Sequence, residues 1–183
     1  MTGHHLILGE LVDFLTGKVI EDSHDERLRQ EVAKYLVQQK GYSKADIQAG
    51  EKILVSCGEN SALLPLDFRV SLHGKTAMIV KYGPGSILTR HQPALALSRL
   101  VASYQVPIVV VTNGRAADVL SGGNGSRLGE GFGAIPSKQQ LMILVSRETW
   151  PSVSEKQIEM ASRIIYAYEI DDACLCDNTV CRL

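Results

Sequence analysis

Apolar and polar positions fall into blocks whose periods change along the chain. In HLILGELVDFLTGKVI two apolar stretches flank Thr16-Gly17, which predicts an N-terminal strand or hairpin. SHDE, residues 23–26, has a serine three positions ahead of a glutamate, a capping-box pattern that opens a helix. Leu28, Val32, Tyr35 and Leu36 then recur at helical spacing, and Gly41 supplies the stop. KILVS, LLPLDFRVSL and TAMIVKY predict strands, the last two joined through a turn at His73-Gly74. After the break GPGS, LTRHQPALALSRLVASY predicts a helix with Pro93 in its first turn and Leu97, Leu100, Val101 and Tyr104 on its apolar face. VPIVVVTNG is a continuous apolar run ended by a turn, as in a strand buried on both faces. The glycine-rich AADVLSGGNGSRLGEGF predicts a small hairpin beside the core. SKQQLMILVS and SEKQIEMASRIIYAYEI predict two more helices, each opened by a Ser-x-x-Gln box.

This order predicts an α/β fold with a mixed β-sheet flanked by helices, in which the helix over roughly 90–104 makes a right-handed crossover. Residues 1–22 form an N-terminal strand or hairpin extension. Residues 23–136 form the α/β core, and 137–183 carry C-terminal helices and a cysteine-containing tail. At 183 residues with 45% hydrophobic positions, one domain with a real core is expected. A net charge of -1 excludes a strongly basic nucleic-acid binder, so any such surface is a local patch. No apolar run reaches membrane-spanning length, and a cytoplasmic location is expected.

Asp67 lies on one predicted strand and Lys81 on the next. Two carboxylates and a lysine on adjacent strands can hydrolyse phosphodiesters, the acids holding a divalent metal and the lysine stabilising developing charge. Where a second acid would stand, two residues before Lys81, the chain has Ile79. Geometry supplies a condition. A plain two-residue turn at His73-Gly74 pairs Asp67 with Val80, leaving Lys81 on the other face; a longer loop or one bulge pairs Asp67 with Lys81. Otherwise the pair is an edge hairpin with a solvated Asp and Lys.

Taken together, DERLRQ (residues 25–30), KGY, PLD, IVK and VVVTNG resemble, in order and spacing, the N-terminal domain of type I restriction enzyme R proteins, a PD-(D/E)XK nuclease-like family. The resemblance spans roughly residues 24–115 and implies a restriction-endonuclease-like core. It also implies Mg²⁺-dependent DNA cleavage by Glu26, Asp67, a second acid and Lys81, with Asp67 and Glu26 as the metal-binding carboxylates left in this chain. Two departures stand out: IVK replaces Glu-Cys-Lys, and the family's glutamine on the following helix is matched by Leu97 or Ser98. Glu26, or failing that Glu59, is the acid that could restore a metal site, although Glu26 could instead complete the capping box.

The loop after Lys81 is the expected contact for a nucleic-acid phosphate or a small anion. Gly85 allows close approach, Ser86, Thr89, Arg90 and His91 can bond phosphate, and Arg99 follows in the same helix. The alternative is a Thr89-to-Gln92 cap with Arg90 and His91 solvated. Cys174, Cys176 and Cys181 crowd the tail, and Cys57 could complete a four-cysteine Zn²⁺ or iron–sulfur site. That arrangement resembles iron–sulfur nucleases of the same broad fold, though Cys-x-Cys is narrower than their usual pair; the alternative is free thiols.

Three functions follow as expectations: a restriction-endonuclease-like DNA-associated protein with cleavage in question, a non-catalytic binding or assembly module, and a small-anion-binding protein using the GPGS loop. DNA is the expected partner, with a homodimer or a partner subunit as the expected assembly. The chain has no Walker A sequence, so it does not itself drive ATP-dependent translocation.

Overall fold

Ser23 opens helix α1 (His24–Gln38): its hydroxyl accepts from the Glu26 backbone N–H at 3.2 Å. The computed structural model describes residues 7–170 and the backbone of residues 181 and 182. Before α1, strands β1 (Gly9–Val12) and β2 (Val19–Asp22) form the expected hairpin. After it, β3 (Ile47–Cys57), β4 (Asn60–Leu72) and β5 (Lys75–Tyr82) make an antiparallel meander. Helix α2 (His91–Leu97) carries the chain over to β6 (Ile108–Thr112), which runs parallel to β5 and is buried throughout. Strands β7 (Ala117–Ser121) and β8 (Arg127–Glu130) follow, then helices α3 (Lys138–Val145) and α4 (Glu155–Ile165) with their Ser137 and Ser154 capping boxes both formed. The sheet order is β3-β4-β5-β6-β7-β8, and a short β9 (Cys181–Arg182) lies along β4.

Alternation along β5 and β6 separates two cores, one on each face. Met78, Val80, Ile108 and Val110 pack under α1 and α3; Ile79, Val109 and Val111 pack under α2 and α4. Two expectations change. The glycine-rich segment is not a side hairpin but two strands of the main sheet, because Asp118 and Val119 continue the ladder from β6. The crossover helix ends at Leu97. There the Ser98 hydroxyl turns back to the Leu95 carbonyl at 2.7 Å, and Arg99 and Leu100 bond three residues back.

Two irregularities place Asp67. His73 and Gly74 both take positive φ (51° and 76°), forming a two-residue turn that pairs Leu72 with Lys75. A bulge then leaves Ala77 unpaired, so Val70 faces Met78 and Phe68 faces Val80. Continued by one residue, this register sets Asp67 across from Lys81, meeting the condition drawn from the sequence. The second irregularity is in the pleat. Leu66 and Phe68 are both buried and two residues apart, yet they belong to opposite cores. Alternation therefore slips by one at Asp67. Gly50, which falls opposite it between the pairs Ala49–Phe68 and Glu51–Leu66, absorbs the same slip with φ 66°. Asp67 is thereby freed from both apolar cores.

Candidate functional site

Asp67 is buried and fully engaged. Its Oδ1 accepts from Arg29 Nε at 2.8 Å and its Oδ2 from the Tyr82 backbone N–H at 2.8 Å. Lys81 Nζ stands 3.6 Å from Oδ2 and donates to the Pro65 carbonyl at 3.0 Å. Arg29 also comes within 3.6 Å of Glu26, and its guanidinium lies over the Tyr82 ring. Burial works against the Arg29 charge, but Asp67, Glu26 and Asp25 outweigh it and raise its pKa. Burial, then the hydrogen bond that the Tyr82 hydroxyl donates to Asp25 at 2.8 Å, push that phenol's pKa up, so Tyr82 stays neutral.

Most positions of the DERLRQ motif therefore have a task set by helical spacing. Asp25 takes Tyr82, Arg29 reaches the strand carboxylate with Glu26 beside it, and Gln30 ties the helix to the N-terminal hairpin. The Gln30 amide donates to Glu26 at 2.8 Å and to Asp13 at 2.7 Å, while its carbonyl accepts from the Phe14 N–H. The Glu26 carboxylate is thus turned along the helix toward Gln30 and Arg29, and only its backbone N–H serves the Ser23 cap.

A two-carboxylate Mg²⁺ site does not fit these residues. Magnesium needs anionic oxygens free to turn toward it. Ile79 has no exposed surface and sits in the α2/α4 core. Both Asp67 oxygens are already bonded, and Arg29 stands between Asp67 and Glu26. Glu59 lies at the β3–β4 turn, roughly 25 Å of extended strand from Asp67. Among the described residues no cluster of three or more His, Cys, Asp or Glu is placed to hold a metal ion. Cys57 is a half-buried free thiol opposite Asn60. The Cys181 backbone lies opposite Leu63 on the other side of β4, and Cys174 and Cys176 fall outside the described residues.

Next to Asp67, the loops leaving the parallel strands β5 and β6 are stitched together. Gly83 N–H donates to the Thr112 carbonyl and the Asn113 amide to the Gly85 carbonyl at 2.9 Å. Asn113 Oδ1 in turn accepts from the N–H groups of Arg115 and Ala116, and Gly114, at φ 83°, packs against Leu28 of α1 where a Cβ would fall 2.9 Å from the leucine. Thr112 Oγ1 donates to the Ala116 carbonyl at 2.7 Å and accepts from the Gly114 N–H at 3.0 Å, so each residue of Thr-Asn-Gly has a contact that its type supplies. Gly85, Ser86 and Thr89 are exposed. Arg90 lies flat on Gly83, where a Cβ would approach its Nε to 3.2 Å, and reaches Glu169 at 3.5 Å. The Thr89 hydroxyl donates to the Ser86 carbonyl instead of capping α2, and α2 has no side-chain cap. Arg99 is at the opposite end of α2, bonded to Gln105, and does not join the loop.

His91 was expected at the loop, but its partner was not. Its Nε2 lies 2.8 Å from Oδ2 of Asp118, a buried residue on β7, and Arg127 NH1 is 3.7 Å from the other oxygen. The cross-strand pairs Lys81–Val111 and Val111–Asp118 place Asp118 in the same row as Lys81. A lone acid within the apolar strand run ADVL is the one sequence signal that could have marked Asp118.

A mixed sheet flanked by helices, with Asp67 brought across from Lys81 and the polar loops at one end, defines a restriction-endonuclease-like α/β core. The family described as type I restriction enzyme R protein N terminus matches residues 24–136, more than half of the chain, and the protein belongs to it. No curated protein and no solved structure matches the chain. No helix among the described residues is long and apolar enough to cross a membrane.

Proposed function

We propose that this protein is a DNA-associated domain that binds the phosphodiester backbone without metal-dependent cleavage. The observation that carries the reading is Ile79, sealed in the core at the position where hydrolysis needs a second carboxylate. Family membership supports the DNA association, and the match is to restriction enzyme subunits. Location supports it further: in open α/β sheets ligands gather where strands end and connections diverge. Here that end holds exposed Gly85, Ser86 and Thr89 beside half-buried Arg90 and His91. In this reading Asp67, Arg29, Lys81 and Glu26 are a charge-balanced brace that sets the strand ends and the helix motif in register. Lys81 supports Asp67 and the Pro65 carbonyl and activates no water.

The test pairs cleavage with binding. Supercoiled plasmid should remain intact in Mg²⁺ or Mn²⁺. A labelled duplex should bind equally in EDTA, weaken steeply with salt as released counterions dictate, and bind less well with Arg90→Ala. Metal-dependent nicking that Asp67→Ala and Lys81→Ala each abolish would overturn the non-hydrolytic reading.

A further inference from the structure

We infer that His91, held by Asp118, forms a proton-dependent phosphate-oxygen site at the loop end of the sheet, separate from the Asp67 cluster. The inference rests on the DNA-associated reading for its biological ligand, but its chemistry is local.

Asp118 is the starting point. Its side chain is 2% exposed, and a buried carboxylate is costly unless paired. Oδ2 is satisfied by His91, whereas Oδ1 is buried with no hydrogen-bond partner. Arg127 NH1, at 3.7 Å, is beyond hydrogen-bonding distance from Oδ1, is half exposed, and is shared with Glu130 at 3.3 Å. Val111 and Leu120 beside Asp118 on the sheet are apolar. The position therefore serves packing poorly and serves His91 well.

Fixing Nε2 against Asp118 decides what the rest of the ring can do. Among the described residues His91 Nδ1 makes no hydrogen bond, and it is not among the sealed unsatisfied atoms, so it is open to solvent. In the neutral ring the single N–H sits on Nε2, facing the carboxylate, and Nδ1 is a bare acceptor. Phosphate oxygens of a diester are acceptors as well, so the neutral ring cannot bond them. In the protonated ring both nitrogens carry hydrogen: Nε2 keeps Asp118 and Nδ1 becomes a charged donor. One proton thus changes Nδ1 from a group that excludes phosphate oxygen to one that binds it.

Lys81, with Asp67 beside it, stands two strands along the row from Asp118, the carboxylate that His91 contacts. Asp118 and, through it, Arg127 and Glu130 face His91 from the sheet, and Arg90 precedes it in the chain with Glu169 as counter-ion. Asp118 positions the ring; His91 makes the contact.

The experiment measures duplex-DNA affinity by fluorescence anisotropy from pH 5.5 to 8, at fixed salt. Wild type is expected to weaken as pH rises across this range, by no more than about tenfold per pH unit, the limit for one linked proton. His91→Gln, which keeps a neutral donor but cannot titrate, should flatten that slope. Asp118→Asn should weaken binding at the acid end of the range, because the ring loses the carboxylate that holds its Nε2. A merely structural role would change stability and leave the slope alone. An unchanged slope in His91→Gln, or a flat wild-type profile, overturns the inference. As a second arm that needs no DNA, the His91 imidazole resonances of the wild type, assigned by their loss in His91→Gln, are titrated with inorganic phosphate at pH 6. A phosphate-dependent shift without DNA binding retains the anion site and sinks the DNA-associated reading; no shift in that arm sinks the site itself.

Discussion

Replacing Arg29 with Met tests the brace at its centre. Methionine keeps an unbranched stem beside Tyr82 but removes the guanidinium that bonds Asp67 at 2.8 Å and stands 3.6 Å from Glu26. The size of the effect follows from burial. Breaking a fully buried ion pair costs about 3–5 kcal/mol, and exposed pairs are worth about 0–1 kcal/mol. Here one partner is almost sealed, with 4% of the Asp67 side chain exposed, and the other is 28% exposed. Asp67 also keeps two supports after the change. The Tyr82 N–H remains bonded, and Lys81 at 3.6 Å retains an attraction of about 4–5 kcal/mol at an effective dielectric near 20, before desolvation. The loss is then that of a charge-assisted hydrogen bond, about 2 kcal/mol. In a chain of this length that lowers the melting temperature by roughly 4–8 °C. Urea unfolding followed by circular dichroism should show a lower midpoint with an unchanged slope. In an Asp67→Asn background the same substitution should cost at least about 1 kcal/mol less, because the asparagine has no charge to strand. An Arg29→Met cost under about 0.5 kcal/mol, or an equal cost in both backgrounds, would refute the brace.

Four other outcomes follow from the same geometry. Ile79→Glu buries a carboxylate in an apolar core and should destabilise by roughly 3 kcal/mol or more, without recovery in Mg²⁺, as thermal melts with and without metal will show. Gly83→Ala pushes only the end of the Arg90 side chain, so it should leave stability nearly unchanged and weaken DNA binding; an unaltered affinity would remove Arg90 from the interface. Gly122→Ala, by contrast, puts a Cβ 1.8 Å from the Val106 carbonyl oxygen, and should disrupt folding at the β7 end, visible as lost expression or a large fall in melting temperature. Burial tends to raise the Asp46 pKa, but Lys138 at 2.6 Å and the Ser43 cap outweigh it and hold the carboxyl below its ordinary 3.8. A depressed folded-state value stabilises above the unfolded pKa and is lost as pH falls through the folded one. Asp46→Asn should therefore destabilise at neutral pH and converge on wild type as acid unfolding carries the pH down through the lowered folded-state value.

Much of the fold is written locally. Ser23, Ser137 and Ser154 mark helix starts because a hydroxyl bonds an N–H three residues on, a contact that needs no tertiary partner. The buried strand at Ile108–Thr112 is legible because a continuous apolar run suits a parallel strand covered on both faces. His73-Gly74 specifies a tight turn, since both residues tolerate positive φ. The crossover helix was overread: Leu100, Val101 and Tyr104 continue the helical period, but Gln105 holds the Ser98 hydroxyl at 3.1 Å and favours the break at Leu97.

Residue types and spacing by themselves determined most of the elements, the Asp67 and Lys81 strands among them, and the loss of the second acid at Ile79. Only the tertiary structure decided that Ala77 bulges, that the pleat slips at Asp67 opposite Gly50, that Arg29 closes on Asp67, and that His91 rests on Asp118. Each of these joins residues from different elements. Strand period, capping and apolar runs are properties of a few neighbouring residues, whereas register and ion pairing depend on which strand lies alongside and on how far the burial of one charge compels the approach of another.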